Sequence, residues 1–286
     1  MIDLHTHSTA SDGSLRPAEL IRAAKGRELS AIALTDHDTI NGLEEARNEA
    51  DQLGIRFIPG IELEIKWAKG TSTVSPPGEF HLLGLGITKP GPAFLETLTT
   101  LAQFRETRNR EILDRLRELG LRSDYDELRA LAGGGSIGRP HIADLLVKHG
   151  VVKNREQAFA RYLGKGRPFY VPKEGLHFQK ALTLINESGG IAVLAHPMSL
   201  YVAWGRLPGL IQELAAHGLD GLEAWHPMAK PRSCKLLEDL GKSLHLHVTE
   251  GSDFHGEIRP DRKLGLSGKD RKIDDAVLTA IPELCG

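Results

Sequence analysis

Residues 2–14 read Ile2-Asp3-Leu4-His5-Thr6-His7-Ser8-Thr9-Ala10-Ser11-Asp12-Gly13-Ser14. A short apolar run ends in two histidines two positions apart, and a loop carrying Asp12 follows. In extended chain, residues i and i+2 point the same way, so both imidazoles can reach one ion. The pattern recurs downstream. Residues 31–35 lead into Asp36-His37-Asp38, residues 56–62 end on Glu62, and residues 191–195 lead into His196. Residues 245–249 lead into Ser252-Asp253-Phe254-His255, again with i, i+2 spacing. Residues 80–87 and 221–225 complete seven candidate strands with residues 2–5. Helical patterns at 17–27, 39–53, 178–188 and 210–217 lie between them, the second ending at Gly54, a helix-stop signal. This alternation predicts an α/β chain of βαβ units with a mostly parallel sheet, and seven strands favour a barrel. The C-terminal strand ends of such a barrel form one face, so the histidines and carboxylates converge there.

His81 stands at the start of its strand rather than the end. If the preceding strand runs on through Ile65 and Trp67 and returns as a hairpin through Pro76-Pro77-Gly78, His81 reaches the same face. Nine candidate ligands result: His5, His7, Asp12, His37, Glu62, His81, His196, Asp253 and His255. Nine mixed nitrogen and oxygen donors exceed the needs of one ion and suit two or three. The two oxygens of Glu62 could bridge a pair.

Residues 94–167 break the rhythm, with helix after helix and no strand. They predict an all-helical insertion in a barrel made of residues 1–93 and 168–286. From Thr99 to Arg167 there are 14 Lys+Arg and 9 Asp+Glu, so this stretch carries +5 and the rest of the chain -7. A basic lid over an acidic, metal-bearing barrel would draw in an anionic substrate. An apolar stripe runs through Phe94, Leu98, Leu101, Ile112, Leu116 and Leu119, but Arg105 and Arg108 fall in its middle. Either the face leaves the core there, or the two guanidinium groups bind phosphate.

Of the 286 residues, 40% are hydrophobic and 26% charged, which suits a globular enzyme and excludes a disordered chain. A net charge of -2 argues against coating of duplex nucleic acid. The apolar runs are too short for a membrane span. The opening residues lack the basic and apolar regions of a secretion signal, and Cys234 and Cys285 form no CxxC motif. A cytoplasmic protein is expected. There is no Walker-type loop, GxSxG elbow or HExxH helix. Oligomeric state leaves no signal.

The motifs Asp3-Leu4-His5-Thr6-His7-Ser8, Ala33-Leu34-Thr35-Asp36-His37-Asp38, the His81 strand with Gly84-Leu85-Gly86, and Gly251-Ser252-Asp253-Phe254-His255 together resemble the PHP (polymerase and histidinol phosphatase) metallophosphoesterases. That family is a branch of the amidohydrolase superfamily with a distorted (β/α)7 barrel. The resemblance implies two or three divalent ions, Mn favoured, with Fe or Zn as alternatives. It implies one ion on His5, His7, Glu62 and Asp253, a second on Glu62, His81 and His196, and a third on Asp12, His37 and His255. Asp12 stands where many relatives have His, which makes the third pocket harder.

Gly135-Ser136-Ile137-Gly138-Arg139-Pro140-His141-Ile142-Ala143 resembles the subgroup with a helical insert, which includes 3′,5′-nucleotide bisphosphatases and 5′-to-3′ exoribonucleases acting on short RNA. The resemblance makes Ser136, Arg139 and His141 candidate phosphate contacts, beside Arg105, Arg108 and Asp12. The other reading of residues 133–138 is a flexible linker. The expected reaction is hydrolysis of the 3′-phosphate of a nucleoside 3′,5′-bisphosphate by a hydroxide bridging two ions, with Asp253, His255 and His37 as catalytic candidates. Alternatives are an exoribonuclease on short RNA, a histidinol-phosphate-like phosphatase, and a non-catalytic metal-binding module. The expected partner is a small anionic nucleotide or a short RNA, with neither duplex nucleic acid nor membrane.

Overall fold

The computed structural model describes residues 1–66, 76–118, 120–121, 124–132 and 135–284. Trp67, Leu119, Gly133, Gly134 and Cys285 lie outside the described residues. Seven strands follow one another around a nearly closed sheet in the order β1 (Ile2–Asp3), β2 (Ala31–Leu34), β3 (Arg56–Lys66), β4 (His81–Leu85), β6 (Ile191–Leu194), β7 (Gly221–Trp225) and β8 (His247–Glu250). A bridge between Thr6 and Phe254 joins the two ends of the path. β5 (Leu176–His177) pairs in parallel with the far end of β3, at Ile65 and Lys66, which accounts for the extra length of β3.

The sheet is mostly parallel, and the strand expected to return as a hairpin is the exception. β4 runs antiparallel to both β3 and β6, with Glu64 opposite His81 and Leu82 opposite Leu194. Reversal puts the start of β4 where its neighbours end. The Ala195 amide donates to the His81 carbonyl at 3.1 Å, so His81 and His196 arrive side by side.

Helices α1 (Pro17–Gly26), α2 (Leu43–Leu53), α7 (Phe178–Glu187), α8 (Leu207–Ala216) and α9 (Pro231–Ser243) lie between barrel strands. α1 opens with Pro17, and the Glu19 carboxylate accepts the Arg16 amide at 2.9 Å. α2 starts at Leu43, later than the predicted 39, because residues 36–42 form the loop carrying His37. It stops at Gly54, whose φ of 61° favours glycine.

Four helices lie between β4 and β5: α3 (Pro92–Glu118), α4 (Tyr125–Leu131), α5 (Arg139–Lys148) and α6 (Arg155–Ala158), the last followed by a π-helical turn over Phe159–Leu163. They have an apolar core of their own, built from Ile112, Leu116, Leu128, Ile142, Leu145, Leu146 and Phe169. α3 changes partners along its length. Phe94 and Leu101 pack on the barrel cluster, whereas Ile112, Leu113 and Leu116 belong to the second core. Arg105 and Arg108 occupy the junction, which explains the break in the apolar stripe. Cys234 is buried and free. No helix among the described residues is long and apolar enough to cross a membrane.

Candidate metal centre

Glu62 is the hub. It is buried at the point where β3 passes beneath the other strand ends. Its Oε1 lies 2.8 Å from His81 Nδ1 and 2.7 Å from His196 Nε2. Its Oε2 lies 3.3 Å from His5 Nε2, 3.2 Å from His7 Nε2 and 3.2 Å from His37 Nδ1. One carboxylate thus faces two sets of imidazoles with its two oxygens. Asp253 Oδ1 lies 3.3 Å from His7 Nε2 and 3.6 Å from His5 Nε2. Asp12 Oδ1 lies 3.4 Å from His255 Nε2 and 4.0 Å from His37 Nε2. All nine predicted ligands therefore gather at one end of the barrel. His7 reaches two sets, since its Nδ1 is 3.9 Å from Asp12.

The hydrogen bonds fix which ring nitrogens face inward. His196 Nδ1–H donates to Ser199 Oγ at 2.8 Å, because that hydroxyl already donates to the Glu79 carbonyl. The His196 Nε2 lone pair then points at the Glu62 oxygen. His255 Nδ1–H donates to the Asp253 carbonyl at 2.8 Å, which turns its Nε2 lone pair toward Asp12. His81 Nε2–H donates to Glu64 at 2.9 Å, and His5 Nδ1–H donates to Glu223 at 2.9 Å. These carboxylate–histidine pairs are the usual outer support of metal-binding imidazoles.

A lone pair facing a carboxylate oxygen is repulsive unless a cation lies between them. Burial holds His37 well below the usual histidine range, lowers His196, and brings His255 down to about 4. Neutral imidazole is the form that binds metal. Burial also resists charge on His5 and His81. Glu223 and Glu62 nevertheless push His5 up to about 10, and Glu62 and Glu64 do the same for His81. Those two protons carry positive charge that the carboxylates require. His7 Nδ1 and His37 Nδ1 are buried without a hydrogen-bond partner among the described residues. Inward lone pairs, facing carboxylates and two orphaned nitrogens fit a cluster of divalent ions. Such ions, when bound, supply Lewis acidity and a nucleophile at neutral pH.

Three supporting residues were not foreseen. Glu223, in the apolar strand β7, binds His5 Nδ1 and accepts the His196 amide at 2.6 Å. His226 Nδ1 accepts the Met228 amide at 3.1 Å, so its remaining proton is on Nε2 and donates to Asp253 Oδ2 at 3.1 Å. Arg262 ion-pairs with the same oxygen. Two donors thus hold the outer oxygen of Asp253 and leave Oδ1 for the centre. We expect His226→Ala to weaken metal binding about 10- to 100-fold in a metal titration, and His226→Gln, which keeps a donor, to recover part of it. Unchanged affinity in both would remove this support role.

A cleft of about 570 Å³ opens above the centre, lined by Asp12, His37, Glu62, His81, His196, Asp253 and His255. The helical segment contributes Arg105, Arg108, Ser136 and Arg139 to its wall. Arg108 is only 5% exposed; its Nη2 donates to Asn109 Oδ1 at 3.3 Å, and its Nε and Nη1 have no partner among the described residues. Burial brings it down to about 10, with Arg105 and Arg139 adding to the effect. Arg105 is ion-paired with Asp38, and Arg139 with Glu79 at 2.9 Å. Ser136 is fixed by its amide, which donates to the Ala10 carbonyl at 3.0 Å. A Cβ on Gly135 would come within 1.8 Å of the Thr9 carbonyl oxygen. Residues 135–138 are therefore docked on the His7 loop rather than serving as a loose linker.

His141 is buried, and its Nδ1 accepts the Gly138 amide at 3.0 Å. It caps the first turn of α5, where helix amides otherwise lack partners. Lys173 was missed. It lines the cleft and pairs with Glu64 at 2.5 Å and Asp38 at 3.5 Å.

Residues 3–168 match the model of the PHP domain. The chain belongs to the PHP family. Across 88% of this chain and 89% of the relative, it is 38% identical to a 5′-3′ exoribonuclease of Haemophilus influenzae. It is 34% identical to a 3′,5′-nucleoside bisphosphate phosphatase of Chromobacterium violaceum, over 92% of this chain and 90% of that one. An amidohydrolase structure from C. violaceum, with bound sulfate and no metal, superposes with a TM-score of 0.83 at 30% identity, over 98% and 96% of the two chains. A candidate metal-dependent phosphoesterase from Bifidobacterium adolescentis gives 0.83 at 28%, over 99% and 95%. This PHP protein is a metal-dependent phosphoesterase.

Proposed function

We propose that the protein hydrolyses the 3′-phosphate of nucleoside 3′,5′-bisphosphates, releasing phosphate and the nucleoside 5′-monophosphate. The observation that carries this is the two-ended cleft: metal-ligand side chains form its floor, and the buried Arg108 guanidinium, whose Nη2 donates to Asn109 and whose Nε and Nη1 have no partner among the described residues, stands in its wall. A substrate with two phosphates satisfies both ends. The 34% identical bisphosphate phosphatase supports the reading. Residues 94–167 act as a lid on the barrel of residues 1–93 and 168–286.

Arg108 accepts the unreacted 5′-phosphate, with Arg139 and Ser136 beside it and Arg105 held behind by Asp38. Asp12, on the floor, orders the side nearest His37 and His255. The metals are two or three, with Mn favoured over Fe or Zn. The departing 3′-oxygen takes up its proton on the side of the floor lined by His37 and His255. The partner is a small nucleotide in the cytoplasm.

The second reading, trimming of short RNA from the 5′ end, breaks the same bond between phosphorus and the 3′-oxygen. It is favoured by the 38% identical exoribonuclease and by a second groove of about 580 Å³ that shares Arg105 and Ser136 with the cleft. Chromatography of the products tests the assignment: adenosine 3′,5′-bisphosphate should give the 5′-monophosphate, and accumulation of the 3′-monophosphate would reverse the proposed orientation. Arg139→Ala should raise KM more than it lowers kcat, since it removes a contact shared by ground and transition states. An unchanged KM would take Arg139 out of the site.

A further inference from the structure

We propose that Tyr201 is the platform on which the base of the substrate stacks, an inference that rests on the nucleotide reading above. No aromatic residue of the helical segment offers itself clearly. Phe159 and Tyr170 line the cleft, but the Arg139 guanidinium lies over them, 5.9 Å and 5.7 Å from their ring centres. Tyr201 belongs to the barrel instead. It lines the same cleft as His196 and Asp253 and is 70% exposed. Met228, also at the cleft, is 43% exposed and adds an apolar neighbour.

A single exposed aromatic side chain is ordinary on a protein surface. Tyr201 differs in how it is held. Its φ of 51° is left-handed, a conformation that bulky residues rarely adopt. It ends the 3₁₀ turn Pro197–Leu200, which begins at the candidate metal ligand His196. The Gly78 amide donates to the Leu200 carbonyl at 3.1 Å, and the Glu79 amide to the Ser199 carbonyl at 3.0 Å. A Cβ on Gly78 would come within 2.7 Å of Tyr201 Cδ2, so the ring edge rests against a glycine. The backbone that carries the ring is tied to the metal floor through Ser199, whose hydroxyl accepts from His196 Nδ1 and donates to the Glu79 carbonyl.

Base–aromatic stacking tolerates any base, because each has a π-face. The platform therefore predicts a nucleotide enzyme with little preference among bases. Steady-state kinetics of wild type, Tyr201→Ala and Tyr201→Phe would use adenosine 3′,5′-bisphosphate and ribose 3,5-bisphosphate, which lacks a base. Tyr201→Ala should raise KM for the nucleotide about tenfold or more and leave kcat nearly unchanged. It should not affect the baseless substrate, and Tyr201→Phe should behave as wild type. An equal effect on both substrates, or none on the nucleotide, would overturn the platform while wild-type turnover left the nucleotide reading standing. Wild-type protein inactive on both compounds would overturn the nucleotide reading, and the platform with it.

Discussion

Glu62→Gln is expected to lose at least about a thousandfold in turnover, equivalent to about 4 kcal/mol of transition-state stabilisation, while remaining folded. Five imidazole nitrogens lie within 3.3 Å of its two oxygens. A glutamine of the same shape keeps one oxygen and replaces the other by an amide group that only donates. One imidazole set then faces N–H where a cation would have to sit. The same amide can donate to the inward lone pair of His196 in the metal-free protein while its oxygen still accepts, so folding should survive. Metal content measured by elemental analysis should fall below one ion per chain. Added Mn should raise the melting temperature of wild type, by linkage worth about 2.7 kcal/mol at a hundredfold excess over Kd, and leave that of the variant nearly unmoved. Full metal content with undiminished turnover would show that Glu62 is not the bridge.

Arg108→Met is expected to raise KM for the bisphosphate about a hundredfold and to leave thermal stability unchanged or higher. The two effects share one cause. A guanidinium that is buried with two unpartnered nitrogens costs free energy in the free protein. A phosphate supplies the missing acceptors and makes charge-assisted hydrogen bonds, and truncating one side of a buried charge pair costs about 2–5 kcal/mol. Methionine fills similar space without the charge. A structural arginine would behave oppositely, with KM unchanged and melting temperature lowered. The pair of readouts therefore separates the two roles.

The ligands were legible because their chemistry repeats at strand ends. His5 with His7, and Asp253 with His255, use the two-residue period of extended chain, and the barrel rule gathers them without knowledge of side-chain contacts. His81 required a reversed strand, which the Pro76-Pro77-Gly78 turn made readable. Glu223 was hidden by its neighbours: one carboxylate in an apolar strand has no period to betray it. His226 could have been found, since it follows Trp225 at a strand end in the same way as the others. Arg105 and Arg108 raised two readings; the first holds, because α3 leaves one core for another there, and phosphate binding is the reading proposed above. The capping task of His141 at the start of α5 was not legible, because a motif does not separate it from phosphate binding. Tyr201 belongs to no motif, and only the fold brings its loop to the cleft.

In the proposed reaction one cleft holds two phosphates, the 3′-group over the metal-binding floor and the 5′-group at Arg108. The measurement that tests it most directly is phosphate release, with added Mn, from adenosine 3′,5′-bisphosphate and from adenosine 3′-monophosphate. The two compounds share the scissile bond and differ only in the 5′-phosphate. A kcat/KM at least about a hundredfold higher for the bisphosphate is the predicted result, matching the loss of one buried charge-assisted contact. Equal kcat/KM for both, or release from neither, would contradict the claim.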